Sequence, residues 1–275
     1  MSSNNRTSAY RGKPATNPWL FTKKTVWMQR VSDAVKAGAA YYIQGSTRLD
    51  KVPFTVQKFA ARHPTNLTSR ADLAARKRDE TVFRWIGYLN DSGMVNWCLF
   101  CWPGKDFDPR SDSWQDPKTQ RLRHTGYELV RITKPGSKLP VLTWRYQRDQ
   151  FERLHDEIVQ IIRLRQDARL EQMIYSLQRS PGFAGVRTQV KKLWDIIRAE
   201  WKRTRSKSEV MPSIPPNIGY VRRLPDVGAM WSDLMKDQPK KGASDGNKPT
   251  QTGTRKTRQN SILVPPGPRS APEKS

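Results

Sequence analysis

Cysteine and long apolar runs are both scarce in this chain. Two cysteines in 275 residues exclude a small secreted scaffold held together by disulfides. No stretch approaches the roughly 20 apolar residues of a membrane-spanning helix, and residues 1–13 lack the apolar core of a signal peptide. We therefore expect a cytoplasmic protein that has no membrane partner.

The residue patterns of the common enzyme classes are missing as well. The chain has three histidines and no histidine pair, glycine-rich phosphate loop, dinucleotide-binding fingerprint or Ser/His/Asp series. These absences favour a non-enzymatic protein, for which we expect no cofactor and no metal.

Positive charge is what the chain has in excess. Fifty Lys and Arg stand against 25 Asp and Glu, which gives a formal net charge of +25 and an isoelectric point near 10.4. The excess is greatest in residues 1–79, which hold fifteen basic and four acidic side chains. An isoelectric point above about 9 is typical of nucleic-acid-binding proteins, although a generally basic, solvated surface gives the same composition.

The spacing of apolar residues predicts an α+β fold. Helical spacing predicts N-terminal helices over 25–37, 53–63 and 69–78. Alternating aromatic and β-branched stretches predict two hairpins, 80–89 with 94–102 and 126–133 with 141–146, and a candidate fifth strand over 40–44. Helical spacing returns over 148–178, with a bend near 166–168, and over 180–205. We expect one antiparallel sheet of four to five strands between the N-terminal helices and a C-terminal helix pair.

Composition divides the chain into four parts. Residues 1–18 predict a flexible basic arm, and residues 19–205 the folded domain. Residues 206–236 are rich in proline and predict a linker, in which the apolar segment Val227–Met235 is a candidate docking site for a protein partner. Residues 237–275 are almost entirely basic, small or polar, which predicts a disordered basic tail.

Cys98 and Cys101 form a CxxC motif inside a predicted strand. An offset of three residues places the two thiols on opposite faces of the strand, whereas a redox pair needs an exposed first cysteine at a helix N-terminus. A zinc site would need two further ligands, for which His63, His124 and His155 lie on three separate elements. We interpret both cysteines as buried structural residues.

Acidic residues cluster in the loop over 103–120. Asp106 and Asp108, together with Glu128, are oxygen ligands of the kind that holds Mg²⁺ in a nuclease. The Glu-x-Lys pair of many such enzymes is missing, and a solvated polar loop explains the same residues.

Basic residues on or just before predicted helices are candidate phosphate contacts. The small residues of Ser180–Arg187 would let backbone N–H groups at a helix start approach a phosphate, or would simply allow a helix to pack closely. Arg84 beside Trp85 and Arg145 beside Trp144 are typical of a base-stacking surface and equally of a buried sheet. The candidate nucleic-acid-binding residues are Lys23, Lys24, Arg70, Arg76, Lys77, Arg78, Arg187, Lys191 and Lys192.

Five runs between residues 40 and 205 carry a resemblance to known proteins, namely VFRWIGYLN, WCLFCWPG, GYELVRI, LTWRY and SPGFAGVRTQVKKLW. They are similar to a set of poorly characterised proteins of bacterial plasmids and integrative elements. The resemblance implies replication, transfer or maintenance of DNA and supplies no catalytic residue. We therefore expect an accessory protein that binds DNA, in preference to RNA, mainly through phosphates. The alternatives are a metal-dependent nuclease and an adaptor that binds a protein through Val227–Met235.

Overall fold

A computed structural model describes residues 11–63, 65, 67–133 and 136–237. Within these residues helices and strands are mixed, which confirms the predicted α+β class. The strands are β1 (Trp19–Phe21), β2 (Tyr41–Arg48), β3 (Val82–Leu89), β4 (Met94–Trp102), β5 (Arg123–His124), β6 (Tyr127–Thr133), β7 (Pro140–Tyr146) and β8 (Gly228–Met230). The helices are α1 (Lys24–Lys36), α2 (Val52–Ala60), α3 (Ser69–Lys77), α4 (Arg148–Arg163), α5 (Asp167–Gln178), α6 (Ala184–Thr204) and α7 (Trp231–Lys236).

The first sheet has five strands in the order β2-β4-β3-β1-β8. β3 and β4 form the predicted hairpin, whose turn is closed by the side-chain oxygen of Asn90. That oxygen accepts hydrogen bonds from the backbone N–H of Ser92 at 3.1 Å and of Met94 at 2.9 Å. β2 pairs with β4 as the candidate fifth strand. β1 runs parallel to β3, so the sheet is mixed and not purely antiparallel.

The two cysteines lie on opposite sides of this sheet, as predicted from their spacing. Cys98 packs in a cluster with Trp27 and Phe100, whereas Cys101 packs in a second cluster with Phe83 and Val56. Burial raises the pKa of the Cys98 thiol and raises the pKa of Cys101 to about 12. Both thiols are therefore protonated at neutral pH and poorly suited to redox exchange.

The strands β5, β6 and β7 form a separate sheet. The expectation of one sheet is therefore refined to two. Tyr42 of the edge strand β2 exchanges two backbone hydrogen bonds, each 2.9 Å long, with Gln115 of the intervening loop. The loop thus pairs with part of the β2 edge of the first sheet, while β8 forms the opposite edge.

Helix α1 lies between the two sheets. The Trp27 indole N–H donates to the carbonyl of Ile86 on β3 at 3.4 Å. The Trp144 indole N–H on β7 donates to the carbonyl of Met28 at 3.0 Å and to the Ser32 hydroxyl at 2.8 Å. Trp144 is fully buried, so these bonds are made away from water and join both sheets to one helix.

The C-terminal helical region contains three helices in place of the predicted pair. The bend expected near 166–168 is a break between α4 and α5, where Arg165 adopts a φ of 55°. α6 buries the apolar stripe that its spacing predicts, which includes Val186, Val190, Leu193, Trp194, Ile197 and Trp201. No helix among the described residues is long and apolar enough to cross a membrane.

The segment after α6 is not a free linker. Ile218 is buried in the core, and the carbonyl of Arg222 accepts a hydrogen bond from the Gln29 side chain at 2.6 Å. The Arg30 guanidinium on α1 pairs with Asp226 at 2.5 Å. Apolar side chains spaced among the prolines supply this attachment, so the proline-based prediction of a linker was wrong for residues 206–226.

The segment predicted to dock on a partner instead docks on its own chain. β8 pairs antiparallel with β1, and the Trp231 indole N–H donates to the carbonyl of Leu49 at 2.7 Å. Asn17 of the predicted arm is held there as well, because its side-chain oxygen accepts from the backbone N–H of Ser232 at 2.9 Å. Residues 1–10 of the arm and 238–275 of the predicted tail lie outside the described residues.

His124 lies in the core between the rings of Trp27 and Tyr88, and its Nε2 has no hydrogen-bond partner among the described residues. Burial, and secondarily the charge of Lys24, lowers the pKa of His124 to about 3 from 6.5. The unfolded chain therefore takes up a proton at a higher pH than the folded chain does. The stability that this neutral histidine contributes is present above about pH 6.5 and is lost as the pH falls from there towards 3.

We expect the substitution His124→Leu to reduce the fall in Tm between about pH 7 and pH 5, measured by circular dichroism. The control is His155→Leu, because His155 is an exposed histidine on α4. If the Tm curves of the parent and of His124→Leu run parallel over this range, His124 is not the group responsible.

Candidate nucleic-acid interface

The three carboxylates considered for a nuclease site each have a different structural environment in the fold. Asp106 accepts hydrogen bonds from the backbone N–H and the hydroxyl of Thr81 at 3.2 and 2.8 Å, which lowers its pKa. Asp108 accepts from the backbone N–H of Arg110 at 2.9 Å. Glu128 is buried on β6. Among the described residues no three acidic, histidine or cysteine side chains are grouped as a metal site would require.

The tryptophans considered for base stacking are buried. Trp85 is 3% exposed and Trp144 is 0% exposed, so neither presents a ring to a base. The core interpretation of these strands is therefore correct. Of their arginine neighbours, Arg84 is buried against Asp72 and over the ring of Trp102, whereas Arg145 reaches the surface groove described below.

The basic residues of α3 do not form one continuous exposed row. Arg76 pairs with the buried Asp72 at 2.9 Å and lies over the Trp102 ring. Arg78 pairs with Glu80 at 2.6 Å. Arg70 and Lys77 are exposed and form no ion pair within the described residues. The Thr68 hydroxyl caps the start of α3 by accepting a hydrogen bond from the backbone N–H of Ala71 at 3.3 Å.

The two lysines before α1 differ from each other. Lys23 is exposed at the helix start. The Lys24 ammonium lies 4.6 Å from the centre of the Tyr127 ring, and burial lowers its pKa. Lys24 thus contributes to packing, and only Lys23 is freely available to a ligand.

The glycines of Ser180–Arg187 allow close packing around the start of α6. A Cβ at Gly185 would lie 2.5 Å from the carbonyl oxygen of Trp144, and a Cβ at Gly182 would lie 2.1 Å from that of Gly219. The Gly185 N–H donates to the Thr143 hydroxyl at 3.2 Å. Of the two interpretations of this motif, the contacts favour packing, and this packing sets α6 beside the edge of β7.

The Gln189 side chain continues the β7 ladder. Its Oε1 accepts from the Tyr146 N–H at 2.6 Å, and its Nε2 donates to the Tyr146 carbonyl at 3.2 Å. The second turn of α6 is therefore held in register with the strand. Arg187 and Lys191 lie on neighbouring turns of the same face of α6.

Between β7, α4 and α6 lies an open groove of about 1030 Å³, which we call the basic groove. Five of the residues that line it are basic and none is acidic. Apolar and aromatic side chains, including Ile132, Val141, Phe151 and Tyr220, also line it. The basic residues are Arg145, Arg148, Arg187, Lys191 and Lys192.

Internal ion pairs leave most of the positive charge of the basic groove available. Arg145 shares the buried Glu128 with Arg121, at 2.7 and 3.2 Å, so two cations face one carboxylate. Arg148 pairs with Glu152 on the surface at 2.7 Å, and such exposed pairs contribute little free energy. The three basic residues on α6 form no ion pair within the described part of the chain.

Tyr220 closes one side of the basic groove. The Arg187 guanidinium lies 3.4 Å from the centre of its ring, and Arg187 Nε donates to the Ile218 carbonyl at 3.2 Å. Neither Tyr220 nor Arg148 stands out in the sequence as a site residue. Tyr220 is an aromatic residue in a proline-rich segment, which is a usable signal, but only the fold brings it to α6.

Comparisons of the chain with protein-family models, with curated proteins and with solved structures found no match.

We expect Gly185→Ala to lower the free energy of unfolding by about 1–3 kcal/mol, because the added methyl group overlaps the Trp144 carbonyl. The measurement is urea unfolding followed by tryptophan fluorescence. Gly219→Ala is the matched control, since a Cβ there meets nothing within 4 Å. Equal stabilities of the two variants would contradict the close approach of α6 to β7.

Proposed function

We propose that this chain is a DNA-binding accessory protein that holds its ligand in the basic groove, mainly through phosphate contacts. One observation carries the proposal: the groove is lined by five basic and no acidic residues. By contrast, Arg30 and Arg84 are buried against carboxylates, and Arg76 pairs with the buried Asp72. The groove therefore presents several basic side chains and no carboxylate on one concave surface, where a polyanion fits.

The setting proposed for this activity is the replication, transfer or maintenance of a mobile genetic element. This part of the proposal rests on the resemblance of residues 40–205 to proteins of plasmids and integrative elements. The preference for DNA over RNA has the same basis.

The proposed interface differs from the one that charge counting alone favours. The N-terminal third carries the largest net charge, yet two of the four basic residues on and next to α3 are already paired. Arg70 and Lys77 remain as candidates for a secondary contact. The basic groove instead gathers five basic residues and no acidic residue on one concave surface.

Three double variants test this assignment, since each removes two exposed cations that have no ion pair among the described residues. Lys191→Gln/Lys192→Gln removes them from the basic groove, Arg70→Gln/Lys77→Gln from α3, and Lys202→Gln/Lys207→Gln from the surface elsewhere. Binding to fluorescent DNA is measured by anisotropy at several salt concentrations.

We expect the groove variant to bind less tightly and to lower the salt slope of log K by about 1.8 on duplex DNA or about 1.4 on a single strand, because two phosphate contacts are lost. The Lys202/Lys207 control should change the slope little. A loss confined to the α3 variant would move the interface to that helix. Absence of binding by the parent protein at low salt would overturn the proposed function.

A further inference from the structure

We infer that the basic groove selects single-stranded DNA and that Tyr220 is the residue on which an unpaired base stacks. The inference rests on the proposed function and adds the form of the ligand to it. It starts from an aromatic ring that the fold leaves in solvent.

Tyr220 is 77% exposed although the chain is anchored on both sides of it. Two residues before it, Ile218 is 5% exposed. One residue after it, the Val221 N–H donates to the Gly182 carbonyl at 3.1 Å. The backbone at Tyr220 is thus held in place while its ring projects beside the basic groove.

One face of the Tyr220 ring is occupied and the other is accessible. The Arg187 guanidinium lies 3.4 Å from the ring centre, which is cation–π contact. The large exposed area places the opposite face in solvent. A base stacked there would extend the stack of base, ring and guanidinium, an arrangement that proteins use for single strands.

The groove places cations within the same concave surface as this ring. Lys191 and Lys192 line it without ion pairs in the described chain, and Val141, which is 41% exposed, gives it an apolar wall. Phosphates can therefore contact the lysines while bases contact the ring and the wall.

The shape of the site favours a single strand over a duplex. A duplex is convex and keeps its base faces stacked inside, so a protein reads it by inserting a protruding helix or ribbon into a groove of the DNA. Here the cations lie in a concavity of the protein. An unpaired strand can lie along such a groove and also present a base face to Tyr220, which a duplex with its bases stacked inside cannot do.

The structure offers a close control in Tyr175 on α5. This residue is 58% exposed, and the Arg179 guanidinium lies 5.4 Å from its ring centre. Tyr175 does not line the basic groove. Both variants remove an exposed tyrosine ring that contacts an arginine. Tyr220→Ala removes the ring inside the basic groove, and Tyr175→Ala removes the ring outside it.

The test uses the full chain, a labelled oligothymidylate and a duplex of the same length, with binding followed by anisotropy. We expect the parent protein to bind the single strand more tightly than the duplex. Tyr220→Ala should weaken single-strand binding about 5- to 100-fold and leave its salt slope unchanged, because the ring carries no charge. Tyr220→Phe should retain binding, and Tyr175→Ala should behave as the parent protein.

The outcomes separate this inference from the proposed function. Equal affinity for both DNA forms, or no effect of Tyr220→Ala in a variant whose Tm matches that of the parent, would overturn the inference. The proposed function would still stand if Lys191→Gln/Lys192→Gln weakened binding to both forms. Displacement of the oligonucleotide by polyglutamate at equal charge concentration would show a charge-only site open to acidic proteins and would overturn the stacking assignment.

Discussion

The packing of α1 between two sheets is the constraint on which the rest of this structure depends. Neither sheet could bury both of its faces alone, and the hydrogen bonds of Trp27 and Trp144 attach each sheet to the same helix. Buried indole N–H groups need partners, so these bonds restrict how the helix can rotate between the sheets. The opposite surface of α1 receives residues 222–226 through Gln29 and Arg30. The return of the chain after α6 is therefore part of the same assembly.

The charges of the protein fall into two groups with different consequences. Asp72 forms ion pairs with Arg11, Arg76 and Arg84. Glu128 forms ion pairs with Arg121 and Arg145. Removal of Asp72 would leave the buried Arg84 guanidinium without its carboxylate, which is costly. The lysines on the outer face of α6 form no ion pair with a carboxylate among the described residues. This difference makes α6 the better candidate for contact with a polyanion.

Close packing and recognition are linked at the start of α6. Gly185 lets the helix approach β7, and Gly182 lets the chain segment around Gly219 cross the same point. These two contacts bring Arg187 next to Tyr220 and create the concavity between helix and strand. The glycine motif at the start of α6 resembles an anion-binding helix start, but its effect here is to allow the close packing that shapes the basic groove.

Local chemistry in the sequence determined much of this protein. The turn at Asn90, the apolar stripe of α6 and the opposed thiols of Cys98 and Cys101 follow from turn propensity and from the 3.6- and 2-residue periods, which depend only on neighbours in the chain. The tertiary structure decided the remainder. The strands β5, β6 and β7 form a sheet of their own, Asp72 withdraws Arg76 from the surface, and residues 206–236 return to the core. Charge counts treat all cations as equal, whereas burial and pairing across distant segments determine which ones are free. Tyr220 and Lys191 are 29 residues apart in the chain, and only the fold places both on one groove.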